Sequence, residues 1–135
     1  MYIIDKDLDT KELCSILMDF NTHQLPRLNK LWDYYQGRQK ILGKFYEDTS
    51  KPCNKTVVNF CKDIVDNYQG FLTGKDVTYS LVDGDITPIQ TVLNYNDVAK
   101  EDSELLKQML IFGVGFEVMW IDEDGKTRFA VVDSR

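Results

Sequence analysis

Lys51 to Tyr79, KPCNKTVVNFCKDIVDNYQGFLTGKDVTY, carries a helix, the helix's stop and a strand in that order. Asn54 offers a cap, and Val57, Phe60, Cys61, Ile64, Val65 and Tyr68 then recur at the 3.6-residue period over three turns. That stripe predicts the clearest helix of the chain, ending near Gly70 to Gly74. From Val77 to Val82 the period falls to two, with Val77, Tyr79 and Leu81 alternating with Thr78 and Ser80 before Asp83 and Gly84. An isolated strand followed by a turn is predicted there.

Upstream, Asp9 or Thr10 can cap a helix in which Leu13, Ile16, Leu17 and Phe20 share one face. Asn21 and Thr22 mark a break, and Leu25, Leu28, Leu31, Trp32 and Tyr35 form a second stripe. Pro26 is tolerated in that helix only in its first turn, and Gly37 is the natural stop. From Arg38 to Pro52 no period holds, and Gly43, Lys44, Glu47, Asp48, Ser50 and Pro52 read as a long exposed connection.

Downstream, Thr87 before Pro88 starts a short helix with Ile89, Val92 and Leu93, and Asn96 or Asp97 starts another running through Leu105, Leu106, Met109 and Leu110. Gly113 and Gly115 break it. Val114, Phe116, Val118 and Trp120 then alternate with other residues up to a turn at Asp122, Glu123, Asp124 and Gly125, and Thr127, Phe129 and Val131 return. The expected class is α+β: about five helices, one isolated strand and a C-terminal β-hairpin, without the βαβ alternation of a nucleotide-binding sheet. A single domain over residues 1–135 is expected, helical over 1–74, with strand, helices and hairpin over 75–135.

Composition narrows the function classes. Hydrophobic residues at 43% and charged residues at 28% place the chain with folded globular proteins. Sixteen basic against twenty-two acidic residues give a net charge of −6, which repels a polyanion and supplies no basic footprint for tight nucleic-acid binding. No apolar run is long enough to span a membrane, and Asp5, Lys6 and Asp7 interrupt the start where a signal peptide would be apolar. Synthesis in the cytosol is the expectation. Cys14, Cys53 and Cys61 form no CxxC pair and are expected to be reduced thiols.

The candidate chemistry is thin. Gly70, Gly74 and Lys75 make a G-x-x-x-G-K, one residue short of a phosphate loop, followed by Asp76 and lying between helix and strand in the wrong order. Asp122, Asp124 and Gly125 resemble half a calcium loop, but with Gly125 in sixth place Trp120 and Val131 occupy the first and twelfth. His23 is the only histidine, and nothing in its spacing brings it to a cysteine with an orienting carboxylate. Trp32, Tyr34, Tyr35, Tyr68, Phe71 and Tyr79 could stack on bases, but they lack surrounding cations and mostly fall on the apolar stripes. Packing is the expected role of these aromatics, in the core or between subunits.

Three stretches resemble the portal proteins of long-tailed phages of Gram-positive hosts: Leu25 to Gly37, LPRLNKLWDYYQG; Lys51 to Tyr79, quoted above; and Gly113 to Lys126, GVGFEVMWIDEDGK. The middle stretch is the most specific, combining KPxNK, V-V-N-F, I-V-D, G-x-x-x-G-K and a strand in fixed order. The positions carrying the resemblance are Leu25, Pro26, Tyr34, Tyr35 and Gly37, then Lys51, Pro52, Asn54, Val58, Asn59, Asp66, Gly70 and Gly74, and finally Gly113 and Gly115. The resemblance implies structural roles for them, with no catalytic, cofactor-binding or metal-binding residue and no cofactor.

By that resemblance the chain is the N-terminal, wing-like part of a subunit whose stem helices, clip and tunnel loop lie beyond Arg135. Complete members are several times longer, and their pattern has a proline where Ser134 stands here. Members assemble as a ring, usually of twelve, at a capsid vertex, made in the host bacterial cytoplasm. The implied partners are copies of itself, terminase, capsid or scaffold proteins and the head-tail connector, with double-stranded DNA passing through unread and no membrane. Two other readings are a small adaptor binding a protein through Lys55 to Gln69, and a metal-assisted phosphate hydrolase using Lys75, Asp122, Glu123 and Asp124. A piece of a ring leaves lateral surfaces uncovered, so exposed apolar patches and self-association are expected.

Overall fold

The computed structural model describes residues 9–45, 50 and 52–135. The start from Met1 to Leu8, Glu47, Asp48 and the signature residue Lys51 lie outside them. Helix α1 spans Thr10–Asp19 and opens with a capping box, in which the Asp9 carboxylate accepts from Thr10 N and Glu12 reaches back to Asp9 N. Helix α2, Leu25–Tyr35, was expected to follow a break at Asn21 and Thr22. Instead a π-helical turn, Phe20–Gln24, carries the backbone on without interruption. The wider turn accommodates Pro26, which has no N–H for the carbonyl one turn back, in the first turn of α2.

A 3-10 turn, Lys40–Gly43, punctuates the described part of the connection that follows α2. Helix α3 spans Phe60–Thr73, and its cap is Asn59, whose Oδ1 accepts from Lys62 N; the cap expected at Asn54 comes too early. The residues between do not coil, because other elements claim them: Lys55 Nζ donates to Leu42 O and Gln39 Nε2 to Val58 O, pinning the strip against the 3-10 turn. Helix α4, Thr87–Tyr95, has Pro88 in its first turn, and α5, Val98–Phe112, starts after Asp97, whose φ of 52° makes the corner between them. Counting α1 and α2 as one continuous piece, the described residues form four helical rods.

Strands β1, Phe116–Ile121, and β2, Thr127–Val132, form the expected antiparallel hairpin, with Met119 opposite Phe129 and Glu117 opposite Val131. The architecture is α+β, as the sequence implies. The expected strand at Val77–Val82 is corrected: among the described residues the sheet contains only β1 and β2. A strand exists only with a partner ladder, and no described strand pairs with this segment within the molecule.

Helices α2, α3 and α5 converge on a small core of Leu28, Tyr35, Val65, Ile111 and Phe112, with Trp32 stacked on Phe112 at a centroid distance of 6.1 Å. Dispersion and apolar burial concentrate at this one junction.

Candidate assembly surface

The α2–α3 seam is built by Tyr35, Asn59 and Asp66. Tyr35 turns its ring into the core, and its hydroxyl donates to Asp66 Oδ1 at 3.0 Å. Asn59 Nδ2 donates to the Tyr35 carbonyl at 2.8 Å, one of the acceptors left over at the end of α2. Burial, then the Asp66 acceptor, then the charges of Asp66 and Glu104 push the Tyr35 phenol up to about 12, so the hydroxyl stays protonated and donating. Lys107 lies 6.0 Å from the same ring, on α5.

The α3–α5 seam is polar at its far end. Gln69 Nε2 donates to Ser103 O and Oγ, and the Thr73 hydroxyl lies 3.2 Å from Ser103 Oγ. Beyond α5, Gly113 adopts φ 78° as the helix stop, and Gly115 lies so close to α5 that a Cβ would stand 2.8 Å from Leu105 Cδ1. The two glycines thus act on the backbone, as the sequence suggests. Ser134 is buried and donates from Oγ to Val114 O and from its backbone N to Gln108 Oε1. A proline at this position would have neither donor. Arg135 caps the junction, its guanidinium 4.4 Å from the Trp32 ring and paired with Asp133, which holds that carboxyl below its ordinary value.

Of the positions carrying the resemblance, Tyr35, Gly37, Asn59 and Asp66 therefore meet at one seam: a Cβ on Gly37 would approach Asn59 Nδ2 to 3.2 Å. Leu25 and Pro26 open α2, Tyr34 is half-buried near its end, Gly70 and Gly74 lie at the end of α3, and Pro52, Asn54 and Val58 are exposed on the strip before it.

The hairpin is anchored by residues that the sequence reading used only as a helix start or overlooked. Asn96 donates to Thr127 O and accepts from Phe129 N, and Glu101 Oε2 accepts from Val131 N at 2.8 Å. Tyr95 is flanked by the Lys126 ammonium and the Arg128 guanidinium at 4.8 and 4.6 Å. The Asn96-Asp97 pair signals a corner, but its docking onto a strand more than thirty residues away leaves no local trace.

The α3 stripe departs from the expected core. Val65 is 8% exposed, whereas Phe60, Ile64, Tyr68 and Phe71 are 66%, 57%, 57% and 86% exposed along the outer side of the helix. Strand β1 is exposed along its whole length. These are the large apolar faces expected of a piece that packs against something else.

The candidate reactive groups are dispersed or already engaged. Asp122 Oδ1 accepts from Asp124 N and Lys126 N, so its carboxylate closes the hairpin turn. No group of three potential metal ligands gathers among the described residues, and the three cysteines are free and exposed. His23 is exposed beside Asp19, one helical turn back. An open cleft of about 520 Å³ lies between Asp76–Tyr79 and the α4–α5 corner, with Asp76 and Asp97 on its walls. No helix among the described residues is long and apolar enough to cross a membrane.

No curated protein matches the chain. Residues 15–135 match the family model described as phage portal protein, SPP1 Gp6-like, a span that takes in every helix-to-helix seam and the hairpin described above. The chain belongs to the phage portal protein family, SPP1 Gp6-like, whose members are structural proteins of virion assembly and DNA packaging.

Proposed function

We propose that this chain is a building block of a portal ring at the capsid vertex, acting through packing and symmetry, with the ring forming the conduit through which DNA enters and leaves. The observation that carries this reading is the outer stripe of α3, where Phe60, Ile64, Tyr68 and Phe71 stay in water although they repeat at core spacing. Leaving four such side chains largely uncovered forgoes at most roughly 1.5–3 kcal/mol each relative to full burial, a cost that neighbouring copies in a ring would remove. A net charge of −6 suits a subunit that lets phosphates slide past without holding them. Terminase and the head-tail connector would dock on the assembled ring.

These residues act as one block of the wing-like N-terminal part, with 1–74 and 75–135 joined through the α3–α5 seam. The signature positions at the α2–α3 seam would keep that block rigid while its outer faces meet neighbours. Negative-stain imaging of the concentrated protein tests the reading: closed annular particles of uniform diameter are expected. Featureless monomers, or particles without a central opening, would count against it.

A further inference from the structure

The two edges of the hairpin are not equivalent. Phe129 N and Val131 N, on the outer edge of β2, are capped by Asn96 Oδ1 and Glu101 Oε2. Because these two amides point away from β1, their partners Met119 and Glu117 sit in non-hydrogen-bonded pairs and also turn their backbone groups outward. Ile121 follows by the same alternation. Among the described residues no hydrogen bond reaches those outward groups, and the Phe116–Ile121 strand that carries them is apolar and exposed. An exposed, mostly apolar edge of this kind is a template for another strand.

The chain also holds a strand-forming segment with no ladder. Val77–Val82 alternates as a strand should, equals β1 in length at six residues, and exposes Val77, Tyr79, Leu81 and Val82. Within one molecule it lies against α4 and the start of α5 and not along the open edge. Val77 and Tyr79 form one wall of the cleft against α4 and the start of α5, while the same α4–α5 corner holds β2 on its other side through Asn96 and Glu101. Helix α5 and strand β2 therefore stand between the segment and β1.

We infer that Val77–Val82 of one copy adds as a third strand to the open β1 edge of the next copy. The contact is head-to-tail: each copy donates one strand and accepts another through a different surface, the type of interface that closes into a ring or continues as a filament. A two-stranded hairpin is marginal by itself, and a third strand would complete it. This inference rests on the ring reading above and specifies one of its lateral contacts.

Disulfide trapping tests it on the 135-residue chain. In a background carrying Cys14→Ser, Cys53→Ser and Cys61→Ser, chains with Val77→Cys, Tyr79→Cys or Leu81→Cys are mixed with chains with Glu117→Cys or Met119→Cys and oxidised. At least one mixed pair is expected to give a crosslinked heterodimer, and neither parent alone should do so. Adding Met119→Pro to chains carrying Glu117→Cys should abolish the crosslink with the β1–β2 ladder kept, since the Met119 N–H points outward. Crosslinking of Met119→Cys chains to each other, or of no mixed pair, would overturn the inference. Light scattering on the unmodified protein separates the two levels: multimers without a mixed crosslink would sink this contact alone, whereas a strict monomer would sink the ring reading too.

Discussion

The Asn59 side chain joins the end of one helix to the start of another: its Nδ2 donates to the Tyr35 carbonyl at 2.8 Å while its Oδ1 accepts from Lys62 N at 3.2 Å. One amide thus supplies a donor to the last turn of α2 and an acceptor to the first turn of α3. Both are backbone groups that helix geometry leaves without partners.

Replacing Asn59 by Ala should remove both bonds at once. Loss of a cap and of a second hydrogen bond predicts a destabilisation of about 2 kcal/mol, read as a lower urea midpoint with an unchanged slope. A change within a few tenths of a kcal/mol would show that the seam is held by packing alone.

Tyr35→Phe keeps the buried ring and deletes the bond to Asp66, with an expected cost of about 1–2 kcal/mol at neutral pH. The pH dependence has a definite sign. The phenol is raised from 10.0 to about 12 in the fold, so its stabilisation is complete below pH 10 and is lost as pH rises toward 12. Denaturation midpoints of the wild type should therefore fall more steeply over that window than those of Tyr35→Phe. Parallel curves would contradict the assigned role of the hydroxyl.

The two glycines after α5 should respond differently to alanine. At Gly113 the space is open but φ is 78°, so Gly113→Ala costs about 1–2 kcal/mol of backbone strain. At Gly115 the new methyl meets Leu105 Cδ1 at 2.8 Å and the Leu105 carbonyl oxygen at 3.2 Å, and α5 or the hairpin must shift. Gly115→Ala should therefore alter the near-UV signal of the core as well as the melting temperature, whereas Gly113→Ala should change only the latter.

Much of the element order is legible in the sequence, because capping residues, proline positions and changes of period are local signals. Asp9, Pro26, Pro88, Asp97 and Gly113 mark element ends where their chemistry suggests. What is not legible depends on partners distant in sequence. The stripe Phe60, Ile64, Tyr68 and Phe71 has core periodicity, yet the residue of α3 that is buried is the neighbouring Val65; period reports amphipathicity and not which neighbour covers it. Asn54 looks like a cap but precedes a strip pinned by Leu42 and Gln39, so the helix waits for Asn59. Val77–Val82 has strand chemistry, but a strand also needs an edge to join. The assembly surface is visible only once the core has been assigned.

The central claim is that this chain is shaped to pack against copies of itself. Sedimentation equilibrium from micromolar to several hundred micromolar protein tests it most directly. A weight-average mass that climbs well above 15.7 kDa and falls on substituting Phe60, Ile64 and Phe71 by serine is the predicted result. A mass fixed at the monomer value throughout that range would contradict it.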